Sequence, residues 1–331
     1  MPDTIIIVVV AIAILFEISN GWNDSANAIA TVVSTRVLSP LQAVLLAASM
    51  NMAGAFFSTA VAKTIGKGIV NPADITLVVV AAALLAGFLW NGAMTLFGLP
   101  VSASHALIGG VIGAGVAHLG GFGQLNLAGL TKIFTALLTS PVIGIFFGYL
   151  FMKFIMRLFA NKSPGIINKY FGRLQILSAG FMAFSHGMND AQKVMGVITL
   201  ALVSGGFLTS VEVPFWVILI CAVAMGFGTA IGGWRVIRTL GHQMLKLQPV
   251  HGFAAETAAT VIILGASSLG LPVSTTHVIT TSIMGVGATK RLSAVRWGVA
   301  RKIVLAWIFT LPMTAGVAWL TYNLLTLIGL R

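Results

Sequence analysis

The sequence predicts an all-α, polytopic membrane protein: an inverted-topology repeat of two five-segment halves with broken helices. Three observations predict it. Hydrophobic residues fill 58% of the 331 positions, charged residues only 8%, and mean hydropathy is +1.01, a composition that soluble domains do not have. Apolar runs approach the roughly 20 helical residues that cross a hydrocarbon core about 30 Å thick, and they recur along the whole length. Polar strings also return in the same order: SNGWND at 19–24 as SHGMND at 185–190, and GLPVSASH at 98–105 as GLPVSTTH at 270–277.

The apolar runs fall at 4–19, 40–62, 75–97, 101–119 and 130–158, then at 174–188, 213–234, 255–268, 273–288 and 302–328. The first lacks a basic start region and is followed by Gly, Asn and Asp, not by a small-residue cleavage site, so it predicts a retained span. Three basic clusters punctuate the chain: Lys153, Arg157, Lys162, Lys169 and Arg173; Arg235, Arg238 and Lys246; Lys290, Arg291, Arg296, Arg301 and Lys302. Basic loops stay on the cytoplasmic side. An even number of runs separates each pair of clusters, which predicts a cytoplasmic-membrane protein with both termini outside and Arg36 inside. Lys63 and Lys67 then fall outside, against the trend. The net charge of +12 is thereby assigned to topology and anionic lipid, with no nucleic-acid partner. Cys221, the single cysteine, excludes an internal disulfide.

The repeated strings are offset by 166 and 172 residues, which marks a duplication: residues 1–160 form the first membrane repeat and 161–331 the second, together one transport unit. Five crossings per half, an odd number, make the second copy enter the membrane from the opposite side. Secondary transporters built this way place their sites near the midplane, where the repeats meet. Anion channels show basic rings along a pore, and the predicted spans contain none. No metal-hydrolase spacing or nucleophile elbow points to an enzyme, and no cofactor is expected.

Of seven acidic residues in the chain, Asp24 and Asp190 occupy equivalent places at the ends of apolar runs. A carboxylate deep in a membrane helix costs about 2.5–3.5 kcal/mol on insertion scales, so it persists where it faces a cavity, a partner or an ion. Gly21 and Gly187 permit a helix break, whose freed carbonyls would join Asn23, Asp24, Asn27, Asn189 and Asp190 around a hard cation. Oxygen-only ligation fits Na⁺ or H⁺ coupling, with a Na⁺ ion at Asn23, Asp24, Asn189 and Asp190.

Pro100 and Pro272 stop the preceding segments, and Ser102 and Ser274 are suited to cap the helices that follow. A helix N-terminus inside the membrane offers unpaired N–H groups, partial positive charge and nearby hydroxyls, which suits a tetrahedral oxyanion. Ser102, Ala103, Ser104, Ser274, Thr275 and Thr276 are the candidate anion ligands, together with Asp24 and Asp190. His105 and His277 either exchange protons or bond a neighbouring helix. Glu17 has Ala183 as its counterpart, so any role is asymmetric. Asn27 has Lys193, which either neutralises Asp190, contacts the anion, or snorkels to water, the last being favoured.

GWNDSANAIATVVSTRVLSP (21–40), GLPVSASH (98–105), SHGMNDAQKVMGVITLAL (185–202) and GLPVSTTH (270–277) resemble the inorganic phosphate transporter (PiT) family over nearly the whole chain. The resemblance implies a phosphate:cation symporter, using Na⁺ in some members and H⁺ in others, with an inverted repeat, both termini outside and a homodimer in the lipid bilayer. It puts Asn23, Asp24, Asn189 and Asp190 at the cation and phosphate site and gives the serine and threonine turns to phosphate. Many relatives carry a long hydrophilic loop between the halves, whereas here 159–173 suffices. Sulfate carriers are related, so the anion's identity is an open expectation.

Overall fold

The computed structural model describes residues 2–69, 75–123 and 125–330, and helix is the only regular secondary structure among them. The first half runs α1 (Pro2–Ser34), α2 (Pro40–Ala55), α3 (Ala60–Gly68), α4 (Leu77–Phe97), α5 (Ala103–Leu119) and α6 (Leu127–Leu158). The second runs α7 (Pro164–Ser204), α8 (Phe215–Ile231), α9 (Trp234–Arg238, continued by a π turn Thr239–Gln243), α10 (Pro249–Ser268), α11 (Thr275–Ala288) and α12 (Trp297–Leu327). The order is the same twice: a long helix, a bent pair, a span, a short helix and a final long span.

By length and composition five helices, α1, α4, α6, α10 and α12, can cross a membrane alone. The pairs α2+α3 and α8+α9, bent by 69° and 62°, each qualify together. Broad apolar faces remain exposed on α6 and α12, including Phe146, Leu150, Phe154, Phe309 and Leu320. Such surface is stable only against lipid. The chain is an integral membrane protein.

Local sequence explains where the short helices begin and end. Gly98 and Gly270 adopt φ of 71° and 65°, a left-handed backbone that residues with a Cβ avoid. The prolines two positions later, Pro100 and Pro272, cannot continue a helix. The chain therefore turns and restarts at Ser102 and Ser274, whose side chains accept hydrogen bonds from the backbone N–H of His105 and His277. Both caps match the sequence expectation.

The halves are interlocked. α1 packs on α8 while α2 packs on α7, and α5 packs on α12 while α6 packs on α11. Every element of that list has its counterpart with the halves exchanged, so each half completes the packing of the other.

Two sequence expectations are corrected. Gly21 and Gly187 break no helix: α1 and α7 run unbroken through both Gly-x-Asn-Asp strings, and no backbone carbonyls are freed there. The runs 4–19 and 174–188 were cut short because polar residues read as span ends; those residues face protein interior instead, where neighbouring helices satisfy them. The glycines serve close approach. A Cβ on Gly21 would lie 2.6 Å from the Met225 carbonyl oxygen, and one on Gly187 would collide with that of Asn51. Gly228 and Gly54 answer from the partner helices against Ile18 and Phe184, a small-residue crossing typical of membrane helices. The actual breaks lie at 56–59 and 232–233. The side chain of Lys67 lies outside the described residues.

At these crossings a methyl group has nowhere to go. Gly187→Ala should destabilise the purified protein by about 1–3 kcal/mol, the usual cost of overpacking, whereas Gly165→Ala, where an added Cβ meets nothing, should be neutral. Thermal unfolding in detergent checks the pair.

Candidate functional site

The unbroken helices α1 and α7 carry the two acidic side chains into one place. Asp24 and Asp190 are each 1% exposed, and carboxylate oxygens from both, with a ring nitrogen of His186, lie within 4.8 Å of one another. His186 Nε2 is 3.1 Å from Asp190 Oδ2 and 3.7 Å from Asp24 Oδ2. Its Nδ1 is 3.0 Å from Asn51 Oδ1 on α2. One turn separates His186 from Asp190, so both project from the same face of α7.

The short helices α5 and α11 end against this cluster. Thr275 donates to Asp190 Oδ2 at 2.8 Å, and Thr276 to Asp24 Oδ1 at 2.9 Å. Their starts are tied to each other: Thr276 Oγ1 reaches the Val101 carbonyl oxygen at 3.1 Å, and Ser104 Oγ the equivalent Val273 oxygen at 3.3 Å. The His105 and His277 rings sit 4.7 Å apart, and His277 stacks on Trp307 at 3.8 Å. Neither ring nitrogen of His277 has a partner among the described residues. The first-turn N–H groups of residues 103, 104, 275 and 276 have no intrahelical acceptor by helix geometry. The N-terminus of α11 thus meets both carboxylates, and the start of α5 is tied to it and to Lys193 beside them.

The carboxamides divide into a symmetric pair and an asymmetric one. Asn23 Nδ2 donates to Thr95 on α4 at 2.7 Å, and Asn189 Nδ2 to the equivalent Ser267 on α10 at 2.7 Å. Both leave a buried Oδ1 without a partner among the described residues. Asn27 Nδ2 donates to Thr276 at 3.0 Å and also keeps an unpartnered Oδ1. A carbonyl oxygen buried and unpaired carries a desolvation penalty unless something else binds it. The favoured snorkelling of Lys193 is overturned: the residue is 3% exposed, and its Nζ bonds Asp190 Oδ1, Ser104 Oγ at 2.5 Å and the Val273 oxygen at 2.8 Å.

The candidate residues Asn23, Asp24, Asn27, Ser102, Ala103, Ser104, Asn189, Asp190, Ser274, Thr275 and Thr276 are all buried, and the contacts above join them into one cluster. Glu17 lies on the same helix as Asp24 and takes a single bond, from Asn20 at 3.3 Å. Four residues escaped the sequence reading. His186 stood inside the second motif copy, where Asn20 is its counterpart. Gln192 Oε1 accepts from the backbone N–H of Val61 at 2.7 Å and of Ala62 at 3.3 Å, capping α3, as Ser25 Oγ accepts from Gly233 N at 2.8 Å before α9. Glu256, fully buried on α10, takes bonds from Thr31, Ser178 and Gln175, the last at 3.2 Å. No motif repeats at Glu256; its only signal was an acid inside an apolar run.

The sequence profile of the "Phosphate transporter family" matches residues 20–318. A "Probable low-affinity inorganic phosphate transporter" of Bacillus subtilis is 45% identical over 98% of both chains. One of the same name from Rhizobium meliloti is 46% identical over 95% of this chain and 94% of its own. Among solved structures, one titled "The sodium-dependent phosphate transporter" superimposes with a TM-score of 0.90 at 26% identity, over 98% of this chain and all of that one.

Glu256 accepts three donors and has no buried cation bonded to it. Glu256→Leu leaves those buried donors without their acceptor, so it should cost about 1–3 kcal/mol. The checks are a lowered thermal midpoint in detergent and intact helix content by circular dichroism.

Proposed function

Because the chain belongs to the phosphate transporter family, we propose that it is a secondary active symporter carrying inorganic phosphate with Na⁺ or H⁺ across the cytoplasmic membrane. The observation that carries this reading is the meeting of two buried carboxylates with the N-terminus of α11, to which the start of α5 is tied, in one enclosed cluster. Carboxylate and unpaired carbonyl oxygens suit a cation, and helix N–H groups with hydroxyls suit a tetrahedral anion. Nothing in this set performs covalent chemistry on the cargo, so transport, not catalysis, is its work.

Asn23, Asp24, Asn27, Asn189 and Asp190 supply oxygens to the coupling ion. Ser102, Ala103, Ser104, Ser274, Thr275 and Thr276 supply backbone and hydroxyl donors to phosphate. In this state the Thr275 and Thr276 hydroxyls already donate to Asp190 and Asp24. A cation that takes over a carboxylate frees the hydroxyl beside it, which gives a physical reason for cation to bind before anion. Electrostatics act in the same direction, since a bound cation cancels charge that would repel phosphate.

The site is buried on every side, so access needs alternate opening, one set of helices rocking against another. Opposite insertion of the halves, termini outside and a homodimer complete the proposal. A sulfate carrier is the second reading. Hydrogen phosphate has a proton to donate to Asp24 or Asp190 and sulfate at neutral pH has none, so the retained acids favour phosphate.

Radiolabelled phosphate uptake into proteoliposomes tests the reading, with imposed Na⁺ or H⁺ gradients and sulfate as competitor. Uptake should saturate, follow one cation gradient and resist excess sulfate. Asp24→Asn and Asp190→Asn should abolish coupled uptake while eluting as folded protein, and wild-type transport by either would sink the assignment.

A further inference from the structure

Around the two acids the halves supply side chains that differ in charge at equivalent positions, and one such pair stands three residues beyond each acid. Asn27 follows Asp24 by three residues, and Lys193 follows Asp190 by three. On the Asp24 side, the Asn23 and Asn27 oxygens stand buried with no partner among the described residues, and on the Asp190 side the Asn189 oxygen alone does. They are acceptors that only a cation or a donor can satisfy. On the Asp190 side, the equivalent place is filled from within by the Lys193 ammonium.

The lysine's bonding leaves it no second task. An ammonium has three N–H donors, and Lys193 has three acceptors: Asp190, Ser104 and Val273. None is left over for an anion, and at 3% exposure none reaches water. The contacts also mirror those of Asn27. Each residue reaches across to the opposite half-helix at equivalent positions, Asn27 to Thr276 and Lys193 to Ser104. A mobile cation brought beside this ammonium would be repelled strongly, because neither charge is screened in a dry interior.

We propose that Lys193 is a tethered cation that permanently fills the second of two repeat-related cation slots, leaving the slot of Asn23, Asp24 and Asn27 as the one at which a mobile ion couples. The proposal rests on the symport reading, narrows its coupling-ion oxygens to those of Asn23, Asp24 and Asn27, and adds a stoichiometry and the residue that sets it. Asn at position 193 would restore the symmetric oxygen pair and reopen the slot, while Lys at position 27 would close the other.

Static-head accumulation of phosphate in proteoliposomes reads this directly, with the membrane potential clamped to zero. Each coupled cation multiplies the attainable phosphate ratio by the cation gradient. A tenfold gradient should therefore give wild type about a tenfold ratio beyond the ungraded control, and Lys193→Asn about a hundredfold. Asn27→Lys should transport phosphate by exchange with no gradient response. Lys193→Met, which removes the charge and offers no oxygen, should lose uptake that Lys193→Asn retains in Na⁺.

A wild-type ratio that rises with the square of the gradient, an unchanged ratio in Lys193→Asn, or full uptake by Lys193→Met overturns the tethered cation with symport intact. Wild-type uptake that ignores every cation gradient overturns the symport reading, and the single mobile slot with it. Should Lys193→Asn fail to fold, the wild-type exponent and Asn27→Lys decide the matter.

Discussion

Two carboxylates held within a few ångströms of one another, away from water, are the constraint from which the rest of this structure follows. Apart, each would be costly in a membrane interior; together they also repel. The protein offsets this by surrounding the pair with donors and cations: His186 between them, Lys193 on Asp190, Thr275 and Thr276 hydroxyls on one oxygen each. The helix N-termini of α5 and α11 add partial positive charge from two directions. Remove the acids and neither the paired half-helices nor the buried lysine has an evident reason to exist.

The interlocked packing makes such a cluster possible. α1 leans on α8 and α7 on α2, so the two acid-bearing helices are seated on elements of the opposite half. Neither half could assemble the site by itself, because Asp24 needs Thr276 and Lys193 needs Ser104. Glycine crossings at Gly21 and Gly187 seat α1 closely on α8 and α7 closely on α2. Duplication thus yields more than symmetry. It supplies two half-sites that are equivalent in backbone and free to diverge in charge, as Asn27 and Lys193 have done.

How much of this the sequence disclosed depended on whether a signal was local. The turns at Gly98 and Gly270, the caps at Ser102 and Ser274 and the convergence of both acids were legible, because prolines, caps and repeated motifs act within a few residues. Helix continuity through Gly-x-Asn-Asp was not. A polar stretch reads the same whether it ends a span or faces a polar interior, and only the packing of α2 and α8 distinguishes them. Lys193 was misjudged for a related reason: snorkelling is the default for a lone lysine, and its acceptors, Ser104 and the Val273 carbonyl, are 89 and 80 residues away. Glu256 and Gln192 were invisible because their partners come from other helices and no pattern marks them.

The caps on α3 and α9 give the site mechanical reach. Gln192 grips the start of α3 two residues beyond Asp190, and Ser25 grips the chain at Gly233 one residue beyond Asp24. Each gripped point lies at the elbow of a bent pair. Each acid-bearing helix is thereby hydrogen-bonded, within two residues of its carboxylate, to the elbow of a bent pair from the other side of the repeat.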